Sequence, residues 1–511
     1  MLRHRIVLLV LAVSLVVGSL WGTIGYGLHL RSGAYRRAAQ DDLSAVLNMP
    51  VEIGRITPLS FCSSQFHDIR TWLPRQRLQV FACERAVWRE IRRGSGTDHA
   101  LEIHNGWLLV GTGGWSRADY DSILRSGLGH DFAALRLTEV HLDDIDFRWD
   151  HVDFHLSAKD AAGVILFDGD GRGRAALDSR RLNDYATTEP IHIHAQFFPG
   201  AGLRFDEVVL EVPRIPLNAL GLERLLGGAV SAGTFAGRIV YREGEQQQRL
   251  NVSGYVADGA LEELTRRVIG GPFSGVVSVA LDEASFVGRR LQSLSFRGRL
   301  DGVRIGDVIP MLNAPELQGR LSLDVGQFKY EDGHVTRFSG SGQADDLSLD
   351  AVTRALGYGE ITGQLSLRIH SLLVVDDKLR SADVDFIAIP PADGPGTIDK
   401  ELIRYALEQM FGIDASPVLP DRVEYARLGA KFLLSGDQLT VRGTHGANGR
   451  TILTIKVAGR ELGLIGQPDE TFEVGDLMAM VRREVERYDL EFLEEWWTRQ
   501  HGYEELEADQ R

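Results

Sequence analysis

Cysteine is nearly absent from the chain: Cys62 and Cys83 are the only two in 511 residues. In an oxidising compartment the pair closes one loop, worth about 3 kcal/mol in the chain-entropy description. Two separate buried thiols are the alternative, and both readings stay open; no histidine is placed to activate either as a nucleophile. Basic residues are also short, with 56 Lys and Arg against 71 Asp and Glu and a net charge of −15. No basic patch emerges, which argues against nucleic acid, and against adhesion to anionic lipid, as the main business. The chain has no H-E-x-x-H, no G-x-S-x-G and no P-loop. Each absence counts against an enzyme, and no catalytic residue, metal or cofactor is expected. Gly169-Asp170-Gly171-Arg172-Gly173 lacks the following Lys-Ser or Lys-Thr of a phosphate loop and reads as a tight turn.

Glycine, by contrast, is abundant at 56 residues and recurs at a fixed period. The segments TFAGRIVY, PFSGVVSVAL, ELQGRLSLDV and EITGQLSLRI place Gly237, Gly275, Gly319 and Gly363 at steps of 38, 44 and 44. Return segments carry Gly254, Gly298 and Gly342 at steps of 44, and Phe386 stands where the next glycine falls. Short stretches of helical period follow, at Leu261 to Val268, Ile305 to Leu312, Leu347 to Leu356 and Ile398 to Phe411. The unit is strand, return strand and helix, and such a period indicates an array.

Alternation within each strand sets its apolar side chains on one face. Phe235, Ile239, Phe273, Val277, Val279, Leu317, Leu321, Leu323, Ile361, Leu365 and Leu367 are the expected lining of that face. Helices of eight to ten residues cover only about 12 to 15 Å, less than two strands of apolar face per repeat. A curved sheet with an open apolar trough is therefore expected, with a fully packed sheet as the alternative.

Residues 6–28 carry no charge and are long enough to span a bilayer, so residues 1–30 read as an uncleaved transmembrane signal anchor with the remainder exported. A helix is expected from Tyr35 to Leu47, then strands at Val51 to Ile56, Gln65 to Trp72, Leu78 to Ala86, Ala100 to Ile103 and Trp107 to Val110. A hairpin signal lies at His104-Asn105-Gly106. His141, His151, His155, His192 and His194 dot residues 131–215. His192 and His194 share a strand face, as a metal corner requires, but with no third ligand they read as a polar face. Asp143, Asp144 and Asp146 read as a solvated strand edge. A helix from Leu217 to Leu226 leads into the repeats. Strands are expected at Val423 to Leu434, Gln438 to Gly443 and Thr451 to Val457, and an amphipathic helix from Asp476 to Trp497, docked within the chain or on a partner protein.

The anchor, the short helix, and the phrases MPVEIGRITPLSF, LQVFACERAVWREI and ALEIHNGWLLV resemble the opening of the AsmA-like group of bacterial envelope proteins, which includes TamB and YdbH. The G-x-L-x-L hairpins resemble the repeats of the same group. What the resemblance implies is a chorein-like cap followed by a repeating β-groove that carries lipid between membranes.

The fold expected is thus mainly β with short helices: an elongated, curved, taco-like antiparallel β-groove of hairpin-plus-helix repeats, with one N-terminal transmembrane helix. Its sections are the anchor (1–30), the cap (31–130), a first groove section (131–215), the repeats (216–395), a closing helix and sheet (396–470) and the C-terminal helix with an acidic tail (471–511). The expected role is a lipid carrier or conduit in the inner membrane, single-pass, with its bulk in the periplasm. Its expected partners are phospholipid or another acyl lipid, the inner membrane through residues 6–28, and an outer-membrane protein. A structural or assembly factor of the envelope is the alternative.

Overall fold

The computed structural model describes residues 29–473, except 30–31, 48, 61, 73–78, 94–95, 112–135, 151–154, 169–171, 200–202, 227, 244–247, 267–272, 289, 309–318, 356–359, 392–393, 412–419, 447, 458 and 470. The expected anchor at 6–28 and the expected C-terminal helix at 476–497 lie outside the described residues. Among the described residues no helix is long and apolar enough to cross a membrane. The chain forms two compact units, Met1–Ala257 with Glu283–Leu291, and Asp258–Asp282 with Gln292–Arg511.

In the first unit a helix, α1 (Gly33–Leu47), sets Tyr35, Ala39 and Leu43 at one-turn spacing over Val51, Ile53 and Ile56 of the first strand. The strands are β1 (Val51–Ser60), β2 (Ser63–Trp72), β3 (Gln79–Arg93), β4 (Gly96–Gly111), β5 (Leu137–Asp150), β6 (His155–Phe167), β7 (Gly173–Leu182), β8 (Tyr185–Pro199), β9 (Leu203–Pro216), β10 (Thr234–Glu243) and β11 (Gln248–Ala260). Each pairs with the next, antiparallel throughout except for the parallel pair β4 and β5. The reversal expected at His104-Asn105-Gly106 does not occur. β4 runs straight through it beside β3, and Asn105 takes a left-handed conformation (φ 50°) as a local distortion, its amide held by Glu84 at 3.0 Å. Asn tolerates that conformation without reversing the chain.

The second unit carries β12 (Val276–Val287) as far as Asp282, then β13 (Arg290–Arg304), β14 (Arg320–Glu331), β15 (His334–Ser348), β16 (Gln364–Val375), β17 (Lys378–Ile389), β18 (Gly396–Asp399), β19 (Arg422–Ser435), β20 (Gln438–Gly443), β21 (Thr451–Val457), β22 (Arg460–Gly466) and β23 (Phe472–Glu473). From β13 to β17 each strand pairs antiparallel with the next, and β17 then pairs with β19.

The array has a bond that marks its period. The first peptide N–H of each short helical turn, at Leu217, Leu261, Ile305 and Leu349, donates to the carbonyl of Gly233, Gly275, Gly319 and Gly363 respectively, at 3.0, 2.9, 3.3 and 3.0 Å. These starts are 44 residues apart at every step. The counterpart of Gly275 is therefore Gly233, and the apparent 38-residue first step comes from aligning Gly237, which lies inside β10 opposite Gly254. Gly254 needs its lack of a side chain, since a Cβ there would fall 2.3 Å from the Ala236 carbonyl oxygen.

The return strands share a second device. Asp258, Gly302 and Asp346, again 44 apart, all adopt left-handed backbone with φ of 53°, 68° and 60°. At Gly302 and Asp346 the ladder skips, between Leu300 and Val303 and between Ala344 and Leu347. A bulge admits one extra residue, so side chains before and after it return to the same face.

Helix α2 (Glu223–Leu226) and the turns α3 (Leu261–Thr265) and α4 (Ile305–Val308) are short, whereas α5 (Leu349–Ala355) and α6 (Lys400–Phe411) pack into the core of the second unit. Leu347, Leu349, Leu365, Ile403, Leu407, Tyr425 and Leu453 meet there. Tyr425 is fully buried and its hydroxyl donates to the Thr362 carbonyl at 2.7 Å, which satisfies its one polar group.

Candidate functional site: an apolar sheet face

The ladder register turns alternation along each strand into apolar columns across strands. In the second unit one column runs Leu300, Leu323, Gly342, Ile369, Val384, Phe432 and Val441, each directly opposite the next. It crosses seven strands without a polar side chain, and all but Val441 are only half-buried. Two parallel columns flank it. The one nearer the helices runs Val303, Leu321, Ala344, Leu367, Phe386, Ala430 and Gly443; the one nearer the hairpin turns runs Gly298, Val325, Gly340, Leu372, Ala382, Leu434 and Leu439. Beyond the latter, Phe296 stacks on Phe328 at 4.7 Å, and Phe328 stands opposite Phe338.

The first unit has a longer column. It passes from Ile56 through Phe66, Ala86, Ile103 and Leu142, then Gly163, Leu177, Ile193 and Leu210, to Ile239 and Val252. Apart from Phe66 and Gly163 these residues are buried. The reason is curvature. Trp149 at the end of β5 meets Phe205 of β9 at 5.2 Å and Tyr241 of β10 at 5.4 Å. A flat sheet at about 4.8 Å per strand would hold β5 roughly 20 Å or more from those strands, so the sheet of this unit curls until its apolar face meets itself.

The expected lining residues divide accordingly. Phe235 (1% exposed) and Ile239 sit in the closed face of the first unit. Val277 and Val279 are buried on β12, while Phe273 and Ile361 are half-buried just outside the strands. Leu323 lies half-buried on the central column, Leu321 and Leu367 lie half-buried on the flanking column and pack against the core around Tyr425, and Leu365 (5% exposed) belongs to that core. Leu317 lies outside the described residues. Ile369, Val384, Phe432 and Trp149 complete the two faces and were not among the expected lining residues. Ile369 was within reach, since it continues the parity of Leu365 and Leu367.

The opposite face is polar and self-neutralising. Arg368, Asp385, Lys431 and Arg442 stand opposite one another in turn across β16, β17, β19 and β20. His370, Asp383 and Asp385 bring their ligand atoms within 4.8 Å of each other, which is metal-ligand spacing. The Lys431 ammonium already sits there, 2.7 Å from Asp383 and 3.7 Å from Asp385. Burial pulls the Asp385 carboxyl upward, but hydrogen bonds from His370 and Lys431 and their charge outweigh it and hold the group below its usual range. This is a structural cross-strand network.

The remaining candidates lie in the first unit. His192 hydrogen-bonds Asp178 at 2.6 Å, and His194 is exposed on the same strand face. His141 lies 3.9 Å from Glu139, His155 carries a backbone bond to Gly221, and His151 lies outside the described residues. The strand edge expected at Asp143, Asp144 and Asp146 is instead a bulge inside the sheet, since β5 pairs with both β4 and β6; there Asp144 is raised by desolvation and then by Asp160, Asp146 and Asp143, and Asp146 accepts the Asp160 amide at 3.1 Å. Cys62 is an exposed free thiol and Cys83 a buried one. The Cys62 carbonyl accepts from the amide of Glu90, which lies seven residues along β3 from Cys83, a separation of roughly 20 Å against the ~7 Å limit for a disulfide.

Compared with family models, curated proteins and solved structures, the chain matches none.

Proposed function

We propose that this chain is a membrane-anchored envelope protein that carries or conducts lipid along its apolar β-face, with no catalytic step. The observation that carries this reading is the central column of the second unit, apolar across seven strands and partly exposed from Leu300 to Val384, before Phe432 and Val441 join the core around Tyr425. Each methylene moved from water onto such a surface gains about 0.8 kcal/mol. Because one strand presents nearly the same surface as the next, an acyl chain moves sideways without a large barrier. Anchorage falls to the uncharged run 6–28, which places the bulk of the chain in the periplasm, and an outer-membrane protein is the proposed receiver. The resemblance of the opening and the repeats to the AsmA-like group points the same way.

A second reading, a structural or assembly factor with a packed sheet, is favoured by the closed face of the first unit and by the core around Tyr425. Native mass spectrometry with lipid extraction on the full chain in mild detergent separates the two. Co-purifying phospholipid, lost in folded Leu323→Asp and Ile369→Asp variants, is the outcome expected of a carrier. A lipid-free protein that unfolds on either substitution makes the face a core and the protein a scaffold.

A further inference from the structure

We propose that residues 476–497 fold back as an amphipathic helix over the hairpin-side half of the apolar face in the second unit, a cover carried by the chain itself. Such a cover is independent of the lipid-carrying reading, since a scaffold would need the same surface kept from water.

The core around Tyr425 reaches only part of the face. Leu321, Leu367 and Phe386, on the column nearer the helices, pack against that core. Phe296, Phe328, Phe338, Leu372, Leu323 and Ile369 continue the face toward the hairpin turns, stand outside the core and are half-buried. Leu379, opposite Val374 near the start of β17, is 45% exposed. Contiguous apolar surface of this kind marks a docking site more often than scattered single residues do.

The chain itself arrives at that surface. β23 pairs antiparallel with β20, Phe472 opposite Leu439 and Glu473 opposite Gln438, so it runs toward the hairpin turns, and both Phe472 and Leu439 pack against the core. Only Val474 and Gly475 separate Glu473 from Asp476, and three steps of chain reach at most about 11 Å. The start of the segment is thereby tied beside the hairpin-side half. Beyond it Leu477, Val481, Val485, Tyr488, Phe492 and Trp496 recur every three or four residues, the stripe of one helix face. A helix over 476–497 measures about 33 Å, and the six strand steps from β20 to β13 measure roughly 29 Å.

Side-chain size matches along that length. Counted at ~1.5 Å per residue from Leu477 at β20, Val485 falls near β17 and β16, Phe492 near β14 and Trp496 near β13. The bulky end of the stripe therefore lies over strands where Gly298, Gly340 and Gly342 carry no side chain and the face dips. Phe296 and Phe328, stacked at 4.7 Å, flank that dip. Glycine inside a strand commonly marks such a close approach. An anionic membrane is the poorer partner for the segment, because residues 476–497 carry seven acids against three arginines.

The test uses the full chain with Cys62→Ser, which removes the exposed thiol and leaves the buried Cys83. Val485→Cys is combined with Val384→Cys, and Phe492→Cys with Phe328→Cys, and each double variant is oxidised with copper phenanthroline. Intramolecular disulfides in both matched pairs are expected at least fivefold above the crossed pairs, Val485→Cys with Phe328→Cys and Phe492→Cys with Val384→Cys. Crossed partners stand roughly 12 Å apart in this register, against the ~7 Å limit for a disulfide. Hydroxyl-radical footprinting of a chain carrying Val485→Asp and Phe492→Asp, whose sheet is unaltered, is expected to raise oxidation of Phe328, Phe338 and Leu372 severalfold while Tyr425 and Leu365 stay unchanged. That second measurement decides the matter if Phe328→Cys or Val384→Cys fails to fold. Matched and crossed pairs that oxidise alike overturn the register, unchanged oxidation of Phe328, Phe338 and Leu372 overturns the cover, and disulfides found only between two copies overturn docking within one chain. The lipid-carrying reading stands or falls separately, on lipid co-purification.

Discussion

Leu365 and Leu323 share the apolar parity of consecutive repeats, Leu323 one alternation further along its strand, and replacing each by alanine separates core from the partly exposed face. Leu365 packs among Leu347, Leu349, Ala388 and Ile403 and is 5% exposed. Truncation there removes transfer energy and leaves a cavity, about 2 to 5 kcal/mol. Leu323 is only partly buried, so the loss is below the 1.5 to 3 kcal/mol of a fully buried leucine, roughly 1 kcal/mol. Hydrogen exchange read peptide by peptide converts these energies into opening rates. At about 1.4 kcal/mol per tenfold, Leu365→Ala speeds exchange across β15 to β17 by roughly 30-fold or more, and Leu323→Ala by about fivefold. Adding phospholipid at 100 times its dissociation constant restores about 2.7 kcal/mol of protection to a protein that binds it. That increment is expected in Leu365→Ala and lost in Leu323→Asp. Equal acceleration by the two alanine variants would refute the reasoning, because the face would then be packed as tightly as the core.

Thiol titration of the native chain is expected to find one reactive group, Cys62, and a second only in denaturant, since burial shields Cys83 and pushes its thiol up to about 12. Because that folded value lies above the unfolded one, its contribution is complete below about pH 9 and is lost as pH rises toward 12, which Cys83→Ala removes from an alkaline melting series. His445 has the opposite shift: burial first, and Arg427 second, lower its pKa below 6.5. Its contribution is therefore full above that value and declines as pH falls through the folded pKa, so the chain is expected to lose melting temperature between pH 7 and 5 more steeply than a His445→Gln variant. Asp346→Gly is expected to leave stability nearly unchanged, as Gly302 fills the same place in the preceding repeat, whereas Asp346→Val costs about 1 to 2 kcal/mol in urea unfolding because a branched residue resists φ of 60°.

Much of this architecture was legible in the sequence because it is local. Alternation gave the strands and the 44-residue period gave the array. The helix from Lys400 to Phe411 carries its apolar stripe in plain view. What was not legible depends on register and on distance. The columns exist because bulges at Asp346 and Gly302 reset the parity, and nothing in an alternating pattern announces an extra residue. Asn105-Gly106 carries a strong turn signal, yet the long pairing of β3 with β4 overrides it. Leu365 and Leu367 share a pattern, yet only the first is fully enclosed in the core that Ile403 and Leu407 of α6 also build. The closure at Trp149 joins residues 92 positions apart in the chain, beyond the reach of any window, and the separation of Cys62 from Cys83 follows from the ladder alone.

The bond from each helix start to the glycine of its own repeat makes the array a ruler graduated in whole repeats. Excising residues 305–348 joins Arg304 directly to Leu349, whose amide still finds the Gly363 carbonyl, and the following strand meets an edge of the same pattern. The apolar face would shorten by two strands, about 10 Å, with its parity intact, whereas a cut that takes only part of the strand, return strand and helix unit would turn the next strand over or leave its turn without an acceptor. Chain length in such a protein is adjustable only in those increments, so reach can be gained or shed by duplication or deletion of single repeats without redesigning the surface that the cargo meets.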